Sequence, residues 1–366
     1  MSAIKPIGGS GDDLPLLQDL AAELAAAPVI GLDTEFLRER TYRAQLCLLQ
    51  VATPARCVLV DPLDNPHLAL LSPALAARQP VKILHAARQD LEVLYPALGP
   101  VAGLFDTQVA AGLVGMAAQI GYADLVRRLL GVELDKSHTR TDWSQRPLSA
   151  AQLVYAVDDV RYLAPLRELL LEQTDKLGRL SWLDEELRAL DNADNLFVAP
   201  ERAWERLKGI TDLDADRQRL ARLLAAWREQ RASDRDRPRS WILDDAGLRA
   251  IVQRAPRTAA QLAELSELAP GFIEHSGPHI IALVQQAGLP AVLPPLPGRS
   301  RPDPEATARL KQLANVVTGV ANSLQINTEI LATRRDLEQV ANGNAQAPPL
   351  CGWRREVIGA ALLAAL

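Results

Sequence analysis

The stretch Pro28-Val29-Ile30-Gly31-Leu32-Asp33-Thr34-Glu35 is a short apolar run that ends in two acidic residues. Short apolar runs of this kind are typical of buried strands. Because side chains alternate between the two faces of a strand, Asp33 and Glu35 are predicted to lie on the same face. The sequence therefore predicts a core strand that presents a pair of carboxylates.

The residues that follow predict more strands and then helices. Apolar runs recur at 46–52, 57–61, 82–85 and 105–107, and Thr53-Pro54-Ala55-Arg56 predicts a hairpin turn between the first two of these. From about residue 110 to about 170 the apolar spacing is mainly helical. A strand meander followed by strands that alternate with helices indicates an α/β domain, with a mixed sheet covered by helices.

Beyond about residue 200 the strand pattern ends and helical spacing continues. Leu220, Leu223, Leu224 and Trp227 recur at i, i+3, i+4 and i+7. Six prolines between 290 and 304 are too dense for a helix and predict a semi-rigid linker. A second apolar stripe begins after them, at Leu310. We expect two small helical bundles separated by this linker.

Length and composition indicate an ordinary globular protein of two or three domains. The chain has 366 residues, a formal net charge of −5 and three cysteines, too few for a disulfide framework or a zinc site. It shows no apolar signal core and no apolar run of 18 residues, so we expect a cytoplasmic protein without membrane association. The small net charge does not exclude a nucleic-acid enzyme, because local charge decides such binding.

Two further segments carry acids that could join Asp33 and Glu35 in one site. Asp90 lies in His85-Ala86-Ala87-Arg88-Gln89-Asp90, and Tyr155 precedes Asp159 by four residues, which places both on one face of a helix. Carboxylates suit Mg²⁺ or Mn²⁺ and repel each other without a cation. Two divalent ions roughly 4 Å apart, with Asp33 between them and Asp90 bound through water, form a centre that cleaves phosphodiesters. Tyr155 is predicted to orient the attacking water and, where the ions lower its pKa from about 10, to accept the proton of that water. The sequence predicts a metal-dependent nuclease.

The order Asp-x-Glu, Asp, Tyr-x-x-x-Asp resembles the DEDD exonuclease superfamily in its tyrosine variant, and the ribonuclease D family in particular. The similarity includes Leu32–Phe36, Phe105–Gln108 and Gln152–Leu163, and Trp227–Ala232 resembles the HRDC pattern. The resemblance implies an RNase H-like exonuclease domain at 1–205, a first HRDC domain at 206–289, the proline-rich linker at 290–303 and a second, divergent HRDC-like domain at 304–366. The metal ligands implied are Asp33, Glu35, Asp90 and Asp159, with Tyr155 as the fifth catalytic residue.

The resemblance also implies an activity. A member of this family removes 5′-mononucleotides from RNA 3′ ends, and transfer-RNA precursors and other structured RNAs with single-stranded 3′ ends are the substrates implied. A monomer is expected. Two alternatives stay open at this point: a 3′–5′ exonuclease acting on DNA, and an RNA-binding protein without catalysis.

Substrate contacts are predicted at six further positions, each with a structural alternative. Tyr42 and Gln45 flank the strand after the acids and either contact the terminal nucleotide or pack. His85 contacts substrate or is a satisfied histidine at a strand end, and Lys136 is the candidate for a phosphate contact. Arg228 and Arg231 begin an arginine-rich run, either an RNA surface or a solvated helix face with internal ion pairs. The sequence assigns no residue to the 2′-hydroxyl.

Overall fold

The chain folds into two compact units. The computed structural model describes residues 5–8, 13–135, 141–192, 196–288 and 304–366. The first unit comprises the described residues up to Leu37, from Gln45 to Leu196 and from 304 onward, and the second unit comprises Arg38–Ala44 and the described residues from Phe197 to 288. The predicted linker at 290–303 lies outside the described residues. The description resumes at Pro304, where a helix begins.

The first unit contains a mixed five-stranded sheet, as the sequence predicted. Its strands are β1 (Val29–Leu37), β2 (Gln45–Ala52), β3 (Cys57–Val60), β4 (Val81–Leu84) and β5 (Leu104–Asp106). The order across the sheet is β3-β2-β1-β4-β5; the β1–β2 and β2–β3 pairs are antiparallel, whereas β1–β4 and β4–β5 are parallel. The strand β1 is therefore central, and a bulge between Glu35 and Phe36 shifts its register against β2.

Helices cover this sheet. In the first unit they are α1 (Leu14–Ala26), α2 (Ser72–Ala76), α3 (Arg88–Leu98), α4 (Thr107–Leu113), α5 (Tyr122–Leu130), α6 (Ala150–Arg161), α7 (Leu163–Lys176) and α8 (Leu180–Leu190). The helix α6 packs against β1, β2 and β3, and α3 packs against β1 and β2. Two helices that carry predicted site residues therefore lie against the strand that carries the acidic pair.

Helices are the regular secondary structure of the second unit among its described residues. Its helices are α9 (Ala215–Asp234), α10 (Arg239–Ile242), α11 (Asp245–Arg254), α12 (Ala259–Ala263) and α13 (Pro270–Ala287), with 3-10 turns at Pro200–Arg206 and Ile210–Asp212. The Asp244 side chain caps α11 by accepting the Gly247 N–H, and the Thr258 side chain caps α12 by accepting the Gln261 N–H. Apolar side chains of α9, α11 and α13 form the core of this bundle.

The C-terminal residues belong to the first unit. They form α14 (Pro304–Leu324), α15 (Thr328–Leu331), α16 (Arg334–Ala341), α17 (Gly352–Arg354) and α18 (Ala360–Ala364). Leu313 and Val317 of α14 share one hydrophobic core with Phe105 and Leu166. The Trp182 and Trp353 rings stack with centroids 4.4 Å apart. The described residues of 304–366 therefore belong to the same compact unit as the sheet, and their buried apolar side chains share its hydrophobic core.

Long apolar helices of the membrane-spanning kind do not occur in the described part of the chain.

Candidate active site

Three of the predicted carboxylates converge. Oxygen atoms of Asp33, Glu35 and Asp159 all lie within 4.8 Å of one another, and the three side chains are half-buried. Asp33 and Glu35 stand on β1, and Asp159 comes from α6, which begins at a capping box formed by Ser149 and Gln152. The strand alternation and the helix packed across it thus bring together residues more than 120 positions apart in sequence.

Asp90 stands beside this group and is held by Thr34. The Thr34 hydroxyl donates to the Asp90 carboxylate over 2.6 Å, and Asp90 is buried in the first turn of α3. The turn before α3 includes Ala86, whose φ of 57° is strained for a residue with a side chain. The Asp106 carboxylate accepts the backbone N–H groups of Ala86 and Ala87 at 3.0 and 2.8 Å, which fixes this turn. Asp90 is therefore positioned from two sides.

Tyr155 lies one helical turn before Asp159, and its phenol donates a hydrogen bond to the Asp159 carboxylate. The Trp143 ring packs beside the phenol with centroids 6.0 Å apart. Burial and the neighbouring acids Asp159, Glu35 and Asp33 raise the pKa of Tyr155 above its ordinary value. The phenol is therefore neutral near pH 7 in the absence of cations, so it serves as a hydrogen-bond donor, and acceptance of a proton would first require ionisation.

Without a cation, the negative charges of these four acids repel one another and their pKa values are raised. Burial, and then the charges of Asp159 and Asp90, raise the pKa of Glu35 to about 8. Burial raises the pKa values of Asp90 and Asp159 to about 7, although hydrogen bonds from Thr34 and Tyr155 respectively oppose the shift. The pKa of Asp33 is raised well above its ordinary value by burial and by the other three acids. Carboxylates that share a site in this way cannot all ionise unless positive charge is added.

The residues present fit a divalent cation. Their donor set is oxygen, which Mg²⁺ and Mn²⁺ prefer. Gln50 adds an independent observation: it pairs directly with Asp33 across β1 and β2, is fully buried, and its side-chain amide has no hydrogen-bond partner among the described residues. An unpaired buried amide is costly and is typical of sites completed by a ligand or ordered water. Asp33, Glu35 and Asp159 are the side chains that would hold such an ion.

We expect the metal-free protein to lose stability as the pH rises from about 4 to about 8. The folded state keeps protons on Glu35, Asp90 and Asp159 up to pH 7 or 8, whereas ordinary carboxyls ionise near pH 4. The unfolded state therefore binds fewer protons in this window, and the free energy of unfolding falls with pH. The loss is on the order of several kcal/mol. Urea denaturation in EDTA at pH 5.5 and 8.5 measures it.

Two variants control this measurement. Glu35→Gln removes one of the perturbed carboxyls and should flatten the profile. Glu172→Gln removes an exposed carboxylate that pairs with Lys176 and should leave the profile unchanged. Excess Mg²⁺ should restore stability mainly at the higher pH, because binding requires ionised carboxylates. An identical unfolding free energy at both pH values in EDTA would contradict the expected electrostatic strain.

The structure places the predicted substrate residues of the first unit as follows. The Gln45 side chain is exposed at the start of β2, and its predicted contact stays a prediction. The ring nitrogens of His85 lie 2.9 Å from the Thr107 hydroxyl and 2.9 Å from the Ile120 carbonyl, and burial lowers the pKa of His85. Both ring nitrogens are therefore engaged inside the protein, which favours the structural alternative for His85. Lys136 lies outside the described residues.

In the second unit, Tyr42 is committed to an internal network. Its hydroxyl donates to Glu229 over 2.6 Å, and the Arg239 guanidinium lies over its ring at 4.8 Å. Arg239 also donates to Glu229, so this buried carboxylate keeps a lowered pKa although burial alone would raise it. The backbone N–H groups of Tyr42 and Arg43 donate to Asp236 over 3.1 Å each. These contacts favour the packing alternative for Tyr42.

The two arginines that were predicted to contact RNA differ in their burial and in their contacts. Arg228 is buried, and its guanidinium donates to the Leu243 carbonyl and to Asp245 over 3.0 and 2.7 Å. Its charge is used inside the bundle, so the predicted RNA contact at Arg228 has no support in the packing. The guanidinium of Arg231 lies 5.6 Å from the Trp227 ring centroid and is half-buried. Its role toward RNA stays a prediction.

Sequence reasoning missed several residues that shape the sites. Each of these residues contacts or pairs with residues that are distant in sequence; they are Thr34, Gln50, Asp106 and Glu229. Asp106 alone has a local signal, because an aspartate directly before a helix favours an N-cap, and its carboxylate accepts the N–H groups of Gln108 and Val109. The others have no local pattern, because their partners are defined only by the fold.

Comparison with known proteins agrees with this geometry. A family model described as a 3′–5′ exonuclease matches residues 12–175, and a model described as an HRDC domain matches residues 217–284. The exonuclease match contains all five predicted catalytic positions. The HRDC match lies in the helical second unit, and the prediction of a second HRDC-like domain at 304–366 stays a prediction.

Whole-chain comparisons give the same relationship. Ribonuclease D of Jannaschia sp. is 39% identical over 350 residues, covering 93% of this chain and 90% of that protein. Ribonuclease D of Nitrobacter hamburgensis is 38% identical over 354 residues, covering 95% and 92%. The crystal structure of Escherichia coli RNase D, an exoribonuclease involved in structured RNA processing, matches with a TM-score of 0.87 and 32% identity over 99% of both chains.

Proposed function

The chain belongs to the ribonuclease D family of 3′–5′ exoribonucleases, and we propose that it trims the 3′ ends of structured RNAs, transfer-RNA precursors among them, with two divalent ions. The observation that carries this proposal is the convergence of Asp33, Glu35 and Asp159 within 4.8 Å, with Tyr155 hydrogen-bonded to Asp159. The similarity of the whole chain to an RNase D that processes structured RNA supports the substrate class.

Each site residue has a proposed role. Asp33, Glu35 and Asp159 would hold the ions directly, and Asp90, held by Thr34, would complete the site through water. Bound divalent ions would supply an activated water and neutralise the charge that develops on the phosphodiester oxygens. The neutral phenol of Tyr155 would orient the attacking water by hydrogen bonding. The partial burial of Asp33, Glu35 and Asp159 reduces the screening of these interactions by bulk water. The predicted monomeric state stays a prediction.

We expect this chain to shorten a 5′-labelled RNA hairpin with a single-stranded 3′ tail, one nucleotide at a time from the 3′ end. Mg²⁺ or Mn²⁺ should support the ladder and EDTA should abolish it. A transfer-RNA precursor with a 3′ extension, run beside an unstructured RNA of equal length, tests the proposed substrate class. Denaturing gels resolve the products.

Three outcomes would change the proposal. Faster shortening of a DNA hairpin of the same sequence would favour the DNA exonuclease alternative. RNA binding without a ladder under any metal would favour the non-catalytic alternative, and Mn²⁺ calorimetry would then show whether the acids bind metal at all. Equal rates on the precursor and the unstructured RNA would remove transfer-RNA precursors as the favoured substrate.

A further inference from the structure

Trp241, in the second unit, is the most exposed tryptophan of this chain. Its side chain is 58% exposed, whereas the other five tryptophans are buried or half-buried. Burying an aromatic side chain of this size stabilises a fold by a few kcal/mol, so an exposed indole forgoes a large contribution. Single exposed apolar residues are common on protein surfaces. The meaning of this one therefore depends on how it is held and on what surrounds it.

The backbone presents the indole from a fixed turn. Trp241 belongs to α10, and its N–H donates to the Pro238 carbonyl over 2.9 Å. The next two residues, Ile242 and Leu243, are buried, and Leu243 belongs to the hydrophobic core of the bundle. The ring is thus carried by a segment that is tied down on both sides. Such preorganisation lowers the entropy lost when a ligand binds.

One arginine lies against the indole, and a second lies two residues earlier in the chain. The Arg237 guanidinium lies 5.8 Å from the Trp241 ring centroid, and Arg235 and Arg237 are both exposed. No carboxylate of the described residues forms an ion pair with either of these guanidinium groups. Both charges therefore face solvent without an anionic partner, and one of them lies against the indole.

The acids of the same segment are largely engaged inside the unit. Asp236 accepts the backbone N–H groups of Tyr42 and Arg43, and Asp244 caps α11. Asp245 pairs with Arg228. Asp234, the remaining acid, accepts a hydrogen bond from the Gln230 amide. The arginines thus dominate the charge that this segment offers to a ligand.

We propose that Trp241 and Arg237 form a stacking site for a nucleobase of single-stranded RNA, with Arg237 and Arg235 contacting the adjoining phosphates. An exposed aromatic face flanked by guanidinium groups is the arrangement that binds single-stranded nucleic acid without sequence preference. A protein partner would bind here only with its own carboxylates placed against both arginines, whereas single-stranded RNA offers a base and the adjoining phosphates together. The inference rests on the proposed function for the identity of the ligand and adds a contact on the same RNA.

The test measures RNA affinity in the full-length chain with Asp33→Asn, which prevents cleavage during the titration. A fluorescein-labelled 20-nucleotide single-stranded RNA is titrated with this parent and with its Trp241 variants. Trp241→Ala should weaken binding about 5- to 100-fold, the range expected for the loss of one stacked base. Trp241→Phe should retain affinity within about threefold, since a phenyl ring still stacks. Arg237→Ala should lower the slope of log affinity against log salt by about one.

Tryptophan fluorescence gives a second, independent readout. Stacking of a base on the indole should quench its emission, so the parent should lose fluorescence as RNA is added. Trp241→Phe should bind RNA with a clearly smaller quench, because the other five tryptophans remain and their indoles are buried or half-buried. An undiminished quench in Trp241→Phe would place the stacked base elsewhere and would overturn the proposal.

A matched control and a parallel assay separate the possible failures. Leu363→Ala removes an apolar side chain of similar exposure, 56%, on α18 and should leave affinity unchanged. RNA binding by Trp241→Ala within twofold of the parent would overturn the stacking site, as would equal losses in Trp241→Ala and Trp241→Phe. The chain with Asp33 intact is assayed for the 3′ ladder at the same time. A ladder with unchanged Trp241→Ala binding overturns this inference alone, whereas an absent ladder overturns the proposed function.

Discussion

Replacing Asp33 with asparagine should lower the rate of RNA cleavage by at least about 10³-fold, equal to about 4 kcal/mol of transition-state stabilisation. Asp33 lies within 4.8 Å of Glu35 and Asp159 and senses the charge of all three other acids. Asparagine keeps the shape but loses the negative charge that would attract a divalent ion. Single-turnover cleavage of the tailed RNA hairpin gives the rate, and fluorescence anisotropy gives RNA affinity, which should change by less than about threefold.

The neighbouring acid Asp158 provides the control for this change. Asp158 precedes Asp159 on α6 but pairs with Arg161 over 2.8 Å and lies outside the group of three acids. Asp158→Asn should keep a rate within about threefold of the unmodified chain, whereas Asp159→Asn should resemble Asp33→Asn. Cleavage by Asp33→Asn at the unmodified rate would remove Asp33 from the catalytic site.

Replacing Tyr155 with phenylalanine should slow cleavage about 10²- to 10⁴-fold. This is the range usual for a side chain that takes part in general acid–base catalysis. The phenol donates to Asp159 and stays neutral because burial and the adjacent acids raise its pKa. Phenylalanine keeps the ring packed beside Trp143 and removes only the hydroxyl. Mn²⁺ affinity, measured by calorimetry, should change little, since the carboxylates remain.

The matched control for this change is Tyr122→Phe, which removes the hydroxyl of a different tyrosine. Its hydroxyl donates to the Asp158 carbonyl over 3.1 Å and accepts from the Tyr162 N–H over 3.3 Å, so it is committed to the backbone. Tyr122→Phe should lower stability by about 1 kcal/mol and change the cleavage rate by less than about fivefold. A rate for Tyr155→Phe equal to that of the unmodified chain would remove its role in orienting water.

Local sequence patterns predict much of the candidate active site. Alternation along a strand placed Asp33 and Glu35 on one face, and a spacing of four placed Tyr155 and Asp159 on one face of a helix. Both geometries follow from backbone dihedral angles alone, so they hold wherever the chain adopts those elements. The mixed sheet and its hairpin were predictable for the same reason, since apolar runs and turn residues are local signals.

Only the tertiary structure decided which residues distant in sequence contact one another. The apolar stripe at Leu313 and Val317 predicted a helix but not its surroundings, and the fold places it in the same hydrophobic core as Phe105 and Leu166 of the first unit. The pattern around Tyr42 did not show that its hydroxyl meets Glu229, 187 residues away.

The sequence by itself therefore determined the elements, the identity of the acids and the family. The tertiary structure decided which faces meet: Thr34 with Asp90, Gln50 with Asp33, and Trp241 left exposed beside Arg237. The physical reason is that side-chain periodicity is fixed within a few residues by backbone geometry. Burial, by contrast, depends on which distant surfaces complement each other, and apolar stripes alone do not specify their partners.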